Sequence, residues 1–159
     1  MRPLKTKAVA LSSMILFLLF LQNCQTKNPL NSQIKPLEGT IIFNIAEGLP
    51  DNEPVSTPRI MLSMRTEKIY GCINYKLATE VSRSRTDILV FLSHVYIGNV
   101  CFTALGPARA QLPLDLTDGV YSLVISNRDF DDRYEVRVSG SSVEIIEKES
   151  HFTVPEQET

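Results

Sequence analysis

Tryptophan is absent from this 159-residue chain, and histidine occurs only twice, as His94 and His151. So small a supply of imidazole leaves little material for zinc coordination or acid–base work. An excess of one charge is also lacking: 16 Lys and Arg stand against 18 Asp and Glu, a formal net charge of −2. No basic field exists to attract nucleic acid, so that class of partner is set aside. Gly-x-Ser-x-Gly and His-Glu-x-x-His are missing, which removes the nucleophile elbow and the helical zinc site. No motif calls for a cofactor. Beyond residue 24 no stretch of 11 or more residues combines helical periodicity with caps, so an α-helical domain is not expected. What is present, 43% hydrophobic and 21% charged residues, is the composition of a globular chain with one core.

Only one long hydrophobic run occurs. Arg2, Lys5 and Lys7 precede residues 8–21, which are apolar except for Ser12 and Ser13. That is the layout of a secretory signal, and its 14 residues fall short of the roughly 20 that a membrane-crossing helix needs. The run ends in Leu21-Gln22-Asn23-Cys24, which resembles the bacterial lipobox, with Asn23 standing where the family usually has Gly, Ala or Ser. The resemblance implies removal of residues 1–23 and lipidation of Cys24. It also implies a protein anchored in the bacterial cell envelope, on the periplasmic or outer face of the outer membrane. Without residues 1–23 the chain keeps 13 basic against 18 acidic groups, near −5. Two cysteines then remain, Cys72 and Cys101, and in an oxidising compartment they are most simply a disulfide. Their separation of 29 is unlike the close spacing of redox centres, and closing such a loop stabilises by about 3 to 4 kcal/mol in the chain-entropy view.

Residues 24–38 read as the lipidated cysteine and a polar tether containing Pro29 and Pro36. From residue 39 to 154 the apolar residues come in short runs separated by turn clusters, the punctuation of an all-β domain; residues 155–159 form an acidic tail. Strands are expected near residues 40–45, 59–65, 69–77, 88–97, 100–103, 108–114, 120–126, 133–138, 143–147 and 151–154. Tyr121, Leu123 and Ile125, then Tyr134, Val136 and Val138, alternate with polar or outward residues, so one face of this pair is buried. Gly98 with Asn99, and Gly140 with Ser141, are hairpin signals. The run Leu116-Thr117-Asp118-Gly119-Val120-Tyr121-Ser122-Leu123 resembles the corner of immunoglobulin-like and transthyretin-like folds, where a Gly stands two before a packed Tyr. This resemblance implies a single antiparallel β-sandwich and no particular activity.

Candidate sites are few. Ser93 and His94 are neighbours on an expected strand, where alternation points them to opposite faces and so prevents a nucleophile–base contact. Asn127, Asp129, Phe130, Asp131 and Asp132 share an expected hairpin loop. Asp129, Asp131 and Asp132 offer oxygen ligands of the kind a calcium ion takes, but the loop lacks the glycine and distal Glu of a calcium-binding loop, and a solvated turn held by its own Asx side chains is the preferred reading. Phe130 in their midst is either offered to a partner or folded back as a plug. Arg83 and Arg85 read as part of an exposed connection. The resulting expectation is a lipid-anchored, non-catalytic binding domain with a protein or other envelope component as partner. An accessory subunit that joins an assembly through a free strand edge is the second reading, and a small hydrolase using His94 or His151 with carboxylates the third.

Overall fold

The computed structural model describes residues 33–49 and 58–156. Cys24, the signal-like segment and residues 157–159 lie outside that description. The described chain is all-β, with no helix among the described residues. Its strands are β1 (Ile34–Pro36), β2 (Ile41–Gly48), β3 (Arg59–Tyr70), β4 (Lys76–Ser84), β5 (Asp87–Tyr96), β6 (Gly106–Pro113), β7 (Gly119–Ser126), β8 (Asp131–Ser139), β9 (Ser142–Glu149) and β10 (Thr153–Pro155).

These strands pair in the order β10-β2-β3-β6-β4-β5-β7-β8-β9, with β1 added beside β5. The sheet curls until β9 comes against β2, nearly closing a barrel. It is mixed rather than purely antiparallel: β10 runs parallel to β2, and β7 parallel to β5. The connections that carry the chain between these partners are long ones, whereas adjacent hairpins alone would have given antiparallel pairs. The weakest link lies between β4 and β6, which meet at a single residue pair, Lys76↔Arg109.

Alternation decides what is buried. Ile41, Phe43 and Ile45 of β2, Leu62 and Met64 of β3, Tyr121, Leu123 and Ile125 of β7, and Tyr134, Val136 and Val138 of β8 all enter one core. Phe43 and Tyr134 meet across it edge to face, centroids 4.8 Å apart, the arrangement ring quadrupoles favour. The Tyr134 hydroxyl donates to the Thr153 carbonyl at 2.9 Å, so its polar tip is satisfied where the sheet closes. At the opposite corner the Tyr121 hydroxyl donates to the Thr117 carbonyl, also at 2.9 Å.

Four segments differ from the sequence expectation, each for a local reason. Residues 34–36, read as tether, form β1 because β5 offers them a free flank at residues 94–96. The expected strand over 69–77 breaks at Gly71, and the chain turns through Cys72 and Ile73 before β4. β4 itself runs through Arg83, which had read as a connection; its outer half is exposed and therefore carries no apolar signal. Residues 100–103 are a loop, not a strand, and Gly98 with Asn99 opens that loop instead of turning a tight hairpin. The hairpin at Gly140 and Ser141 is present, with Gly140 at φ +59°, a conformation its missing Cβ permits. Cys72 and Cys101 are joined in a disulfide, Cα atoms 5.4 Å apart.

Candidate functional site

Asp132 shows what the acidic hairpin is for. It is the second residue of β8, its side chain turned inward and 0% exposed. Oδ2 accepts from the Phe152 amide (3.0 Å), the Thr153 amide (2.6 Å) and the Thr153 hydroxyl (2.6 Å). Oδ1 accepts from the His151 amide at 2.8 Å and lies 3.1 Å from His151 Nδ1. Burial alone would push this carboxyl up, but the donors from Thr153, Phe152 and His151 outweigh it and hold the pKa below the ordinary value. Asp132 thus staples the segment leading into β10 onto the start of β8. Its oxygens are spent on N–H and O–H donors, and Asp131 faces Arg133 instead at 3.7 Å. The calcium cage considered for Asp129, Asp131 and Asp132 is therefore not assembled; among the described residues no three acidic, His or Cys side chains converge on a metal position.

The rest of that hairpin builds its own turn. Asn127 Oδ1 accepts from the amides of Asp129 and Phe130, both at 2.8 Å, an Asx arrangement. Phe130 is neither a plug nor free: it is 48% exposed and stacks on the His151 ring, centroids 5.3 Å apart.

Ser93 and His94 correct the alternation argument. Burial along β5 runs Ile88, Val90, Leu92 and then Val95, skipping a beat. The ladder with β4 shifts at the same point, Ala78 facing His94 and Thr79 facing Leu92, so Ser93 is the extra residue of a β-bulge. A bulge re-aims side chains, and Ser93 Oγ lies 2.9 Å from His94 Nδ1. This pair lines a cleft of about 470 Å³ together with Lys35 of β1 and Asn127, Arg128 and Asp129 of the hairpin. Two regions of separate interest in the sequence therefore share one depression. Leu92 and Ser93 also fall between two ladders, since β7 pairs with β5 up to Phe91 and β1 pairs with it from His94.

A larger cleft, about 600 Å³, opens where β4 and β6 separate. Its two long walls are strand flanks: Leu77 and Thr79 on β4, Ala110 to Pro113 on β6. One end is shut by the Lys76↔Arg109 pair and by the Arg109 amide donating to the Tyr75 carbonyl at 3.1 Å. Beyond the other end Arg83 crosses from β4 to the carbonyls of Leu114 (2.7 Å) and Asp115 (2.9 Å). Met61, Leu112 and the rings of Tyr75 and Tyr96 supply apolar lining, and no acidic residue contributes. Lys76 and Arg109, like charges on facing strands, have no acidic partner among the described residues, although such opposition costs stability when unanswered. Sequence reasoning missed this place entirely. Lys76 and Arg109 lie 33 positions apart, and only the strand pairing makes them neighbours.

No family profile, no curated protein and no solved structure matches the chain.

Proposed function

We propose that this is a lipid-anchored envelope protein whose β domain binds an extended, acidic peptide segment without catalysing a reaction. The observation that carries the reading is the β4–β6 cleft: two strand flanks that no described strand pairs with, closed at one end by two cations that have no acidic partner among the described residues. Main-chain pairing gives affinity to such a mode and side-chain pockets give selectivity. Lys76 and Arg109 fix where the partner's carboxylate sits, Arg by a planar fork that suits it. The volume lies within the range of ligand sites. The anchor at Cys24 is part of the same proposal and rests on the lipobox resemblance. So is the sandwich description, with its immunoglobulin-like or transthyretin-like corner. It is supported by the single-pair link that nearly divides the sheet between β6 and β4, and by the Tyr121 hydroxyl on the Thr117 carbonyl.

An array of six-residue β-forming peptides with none, one or two Asp or Glu residues tests the binding. Retention of the purified protein should rise with acidic content and vanish for Lys76→Glu/Arg109→Glu; indifference to peptide charge would refute it. Labelled fatty acid should enter the wild type in a bacterial host and not Cys24→Ala. A second reading, a small hydrolase, is favoured by the Ser93–His94 contact. Covalent labelling by a fluorophosphonate that disappears in Ser93→Ala would establish it.

A further inference from the structure

The end of the domain that carries the disulfide is apolar in an unusual way. Residues 69–75 and 97–105 contain no charged side chain, in a chain of which 21% is charged. Ile73, Val100, Phe102 and Leu105 point outward from these two segments, Phe102 61% and Leu105 78% exposed. Ile69 and Ile34, at the adjoining ends of β3 and β1, are exposed as well. Among the described residues, half of the twelve exposed large hydrophobics therefore gather at this one end. A loose loop would fold such residues back onto the core. Here the Cys72–Cys101 bond holds the two segments together, the Asn74 side-chain Nδ2 donates to the Val100 carbonyl (2.7 Å), and Asn74 Oδ1 accepts from the Phe102 amide (3.1 Å). The Phe102 carbonyl in turn accepts from the amides of Ile73 (3.2 Å) and Ala104 (2.8 Å). The loop thus presents side chains outward while the amides of Ile73, Phe102 and Ala104 and the carbonyls of Val100 and Phe102 are answered internally, which lowers the cost of bringing them to a lipid interface.

The chain's own course indicates what covers it. The Ile97 amide, at the mouth of the apolar loop, donates to the carbonyl of Gln33. Upstream of Gln33 only eight residues separate it from Cys24, a reach of at most about 30 Å. Acyl chains on Cys24 would therefore keep a bilayer within reach of this end. Lys68 and Lys76 bracket the first segment, and Lys35 Nζ lies 5.7 and 5.3 Å from the Tyr70 and Tyr75 rings, placing ammonium and aromatic groups at headgroup level.

We infer that the disulfide-held loops around Ile73, Val100, Phe102 and Leu105 dock into the phospholipid bilayer that holds the lipidated Cys24, giving the domain a second, fixed contact with the membrane. The inference rests on the proposed lipid anchor. Since the chain has no tryptophan, Phe102→Trp provides a single reporter in the full lipidated protein, with Val120→Trp at the other end of the strands as control. On phosphatidylethanolamine–phosphatidylglycerol vesicles with brominated acyl chains, the indole at position 102 should shift to the blue and be quenched, and the one at 120 should not. Leu105→Ser should speed transfer of the lipidated protein between vesicles about tenfold or more, the effect of withdrawing one large aliphatic side chain from hydrocarbon. A protein that floats with vesicles while position 102 stays unquenched overturns the docking and leaves the anchor standing. Shielding of position 102 in native envelopes but not on pure lipid also overturns it, in favour of a protein partner. A chain that takes up no labelled fatty acid and does not float overturns the anchor, and the docking with it.

Discussion

Asp132 and the Lys76–Arg109 pair both place charge at a seam between strands, and they are built in opposite ways. At the Asp132 seam one buried carboxylate meets four backbone and hydroxyl donors within 3.0 Å, and β10 is held by them. At the other seam two cations face each other across a single residue pair with no ion-pair partner among the described residues, and the strands part immediately beyond. A charge removed from water must be answered by the protein, whereas Lys76 and Arg109 are exposed and keep their water. The first seam is answered internally and acts as structure. The second stays hydrated, and in the proposed function it is where an acidic partner adds its charge.

Four changes would break or sharpen that contrast. The largest effect is expected at Asp132→Ala, which strands several buried donors at once and should cost about 3 to 5 kcal/mol in denaturant titration. The same carboxylate sets an acid limit. Its folded pKa is depressed, so its contribution is complete above the unfolded value near 4 and fades as pH falls through the lower folded value. Wild-type stability should therefore decline below about pH 4 more steeply than that of Asp132→Asn. Next, Cys72→Ser/Cys101→Ser should lose about 3 to 4 kcal/mol; unchanged stability would mean that the chain is already restrained without the bond. Phe130→Ala should cost only about 1 kcal/mol, a half-exposed ring giving up one stacked partner. Loss of several kcal/mol would make it a core residue. The smallest and most telling change is Arg109→Glu. By turning a repulsive cross-strand pair into an attractive one it should raise stability by a few tenths of a kcal/mol while abolishing acidic-peptide binding. A destabilised variant that still binds would erase the distinction between the seams.

Much of the fold was legible where neighbours in sequence are neighbours in space. The alternation of Tyr121, Leu123 and Ile125 against Tyr134, Val136 and Val138 gave both strands, their buried face and the hairpin between them, because one short turn fixes the register. Asp132 was legible only as acidic. Its inward turn depends on the amides of residues 151–153, which follow a whole further hairpin. β4 was lost because its outer half buries nothing, and periodicity can report only burial. The bulge at Ser93 did leave a trace, the two-residue gap between Leu92 and Val95, but strict alternation was assumed across it. The β4–β6 cleft left none, since strands that separate produce no pattern in either sequence.

The parallel pairing of β10 with β2 also sets an order of events. Ile41 waits for Thr153, roughly 110 residues later in the chain, so β2 leaves the synthetic machinery long before its outer neighbour exists. Contacts of such sequence separation form late, because loop closure must precede any return from pairing. Until then the β2 flank is an open edge and the Asp132 carboxylate has neither Phe152 nor Thr153 to receive. The early chain therefore passes through a state with an exposed strand edge, the kind of species that self-associates. Completing this one short strand covers the β2 flank and brings the Asp132 carboxylate its donors in a single step.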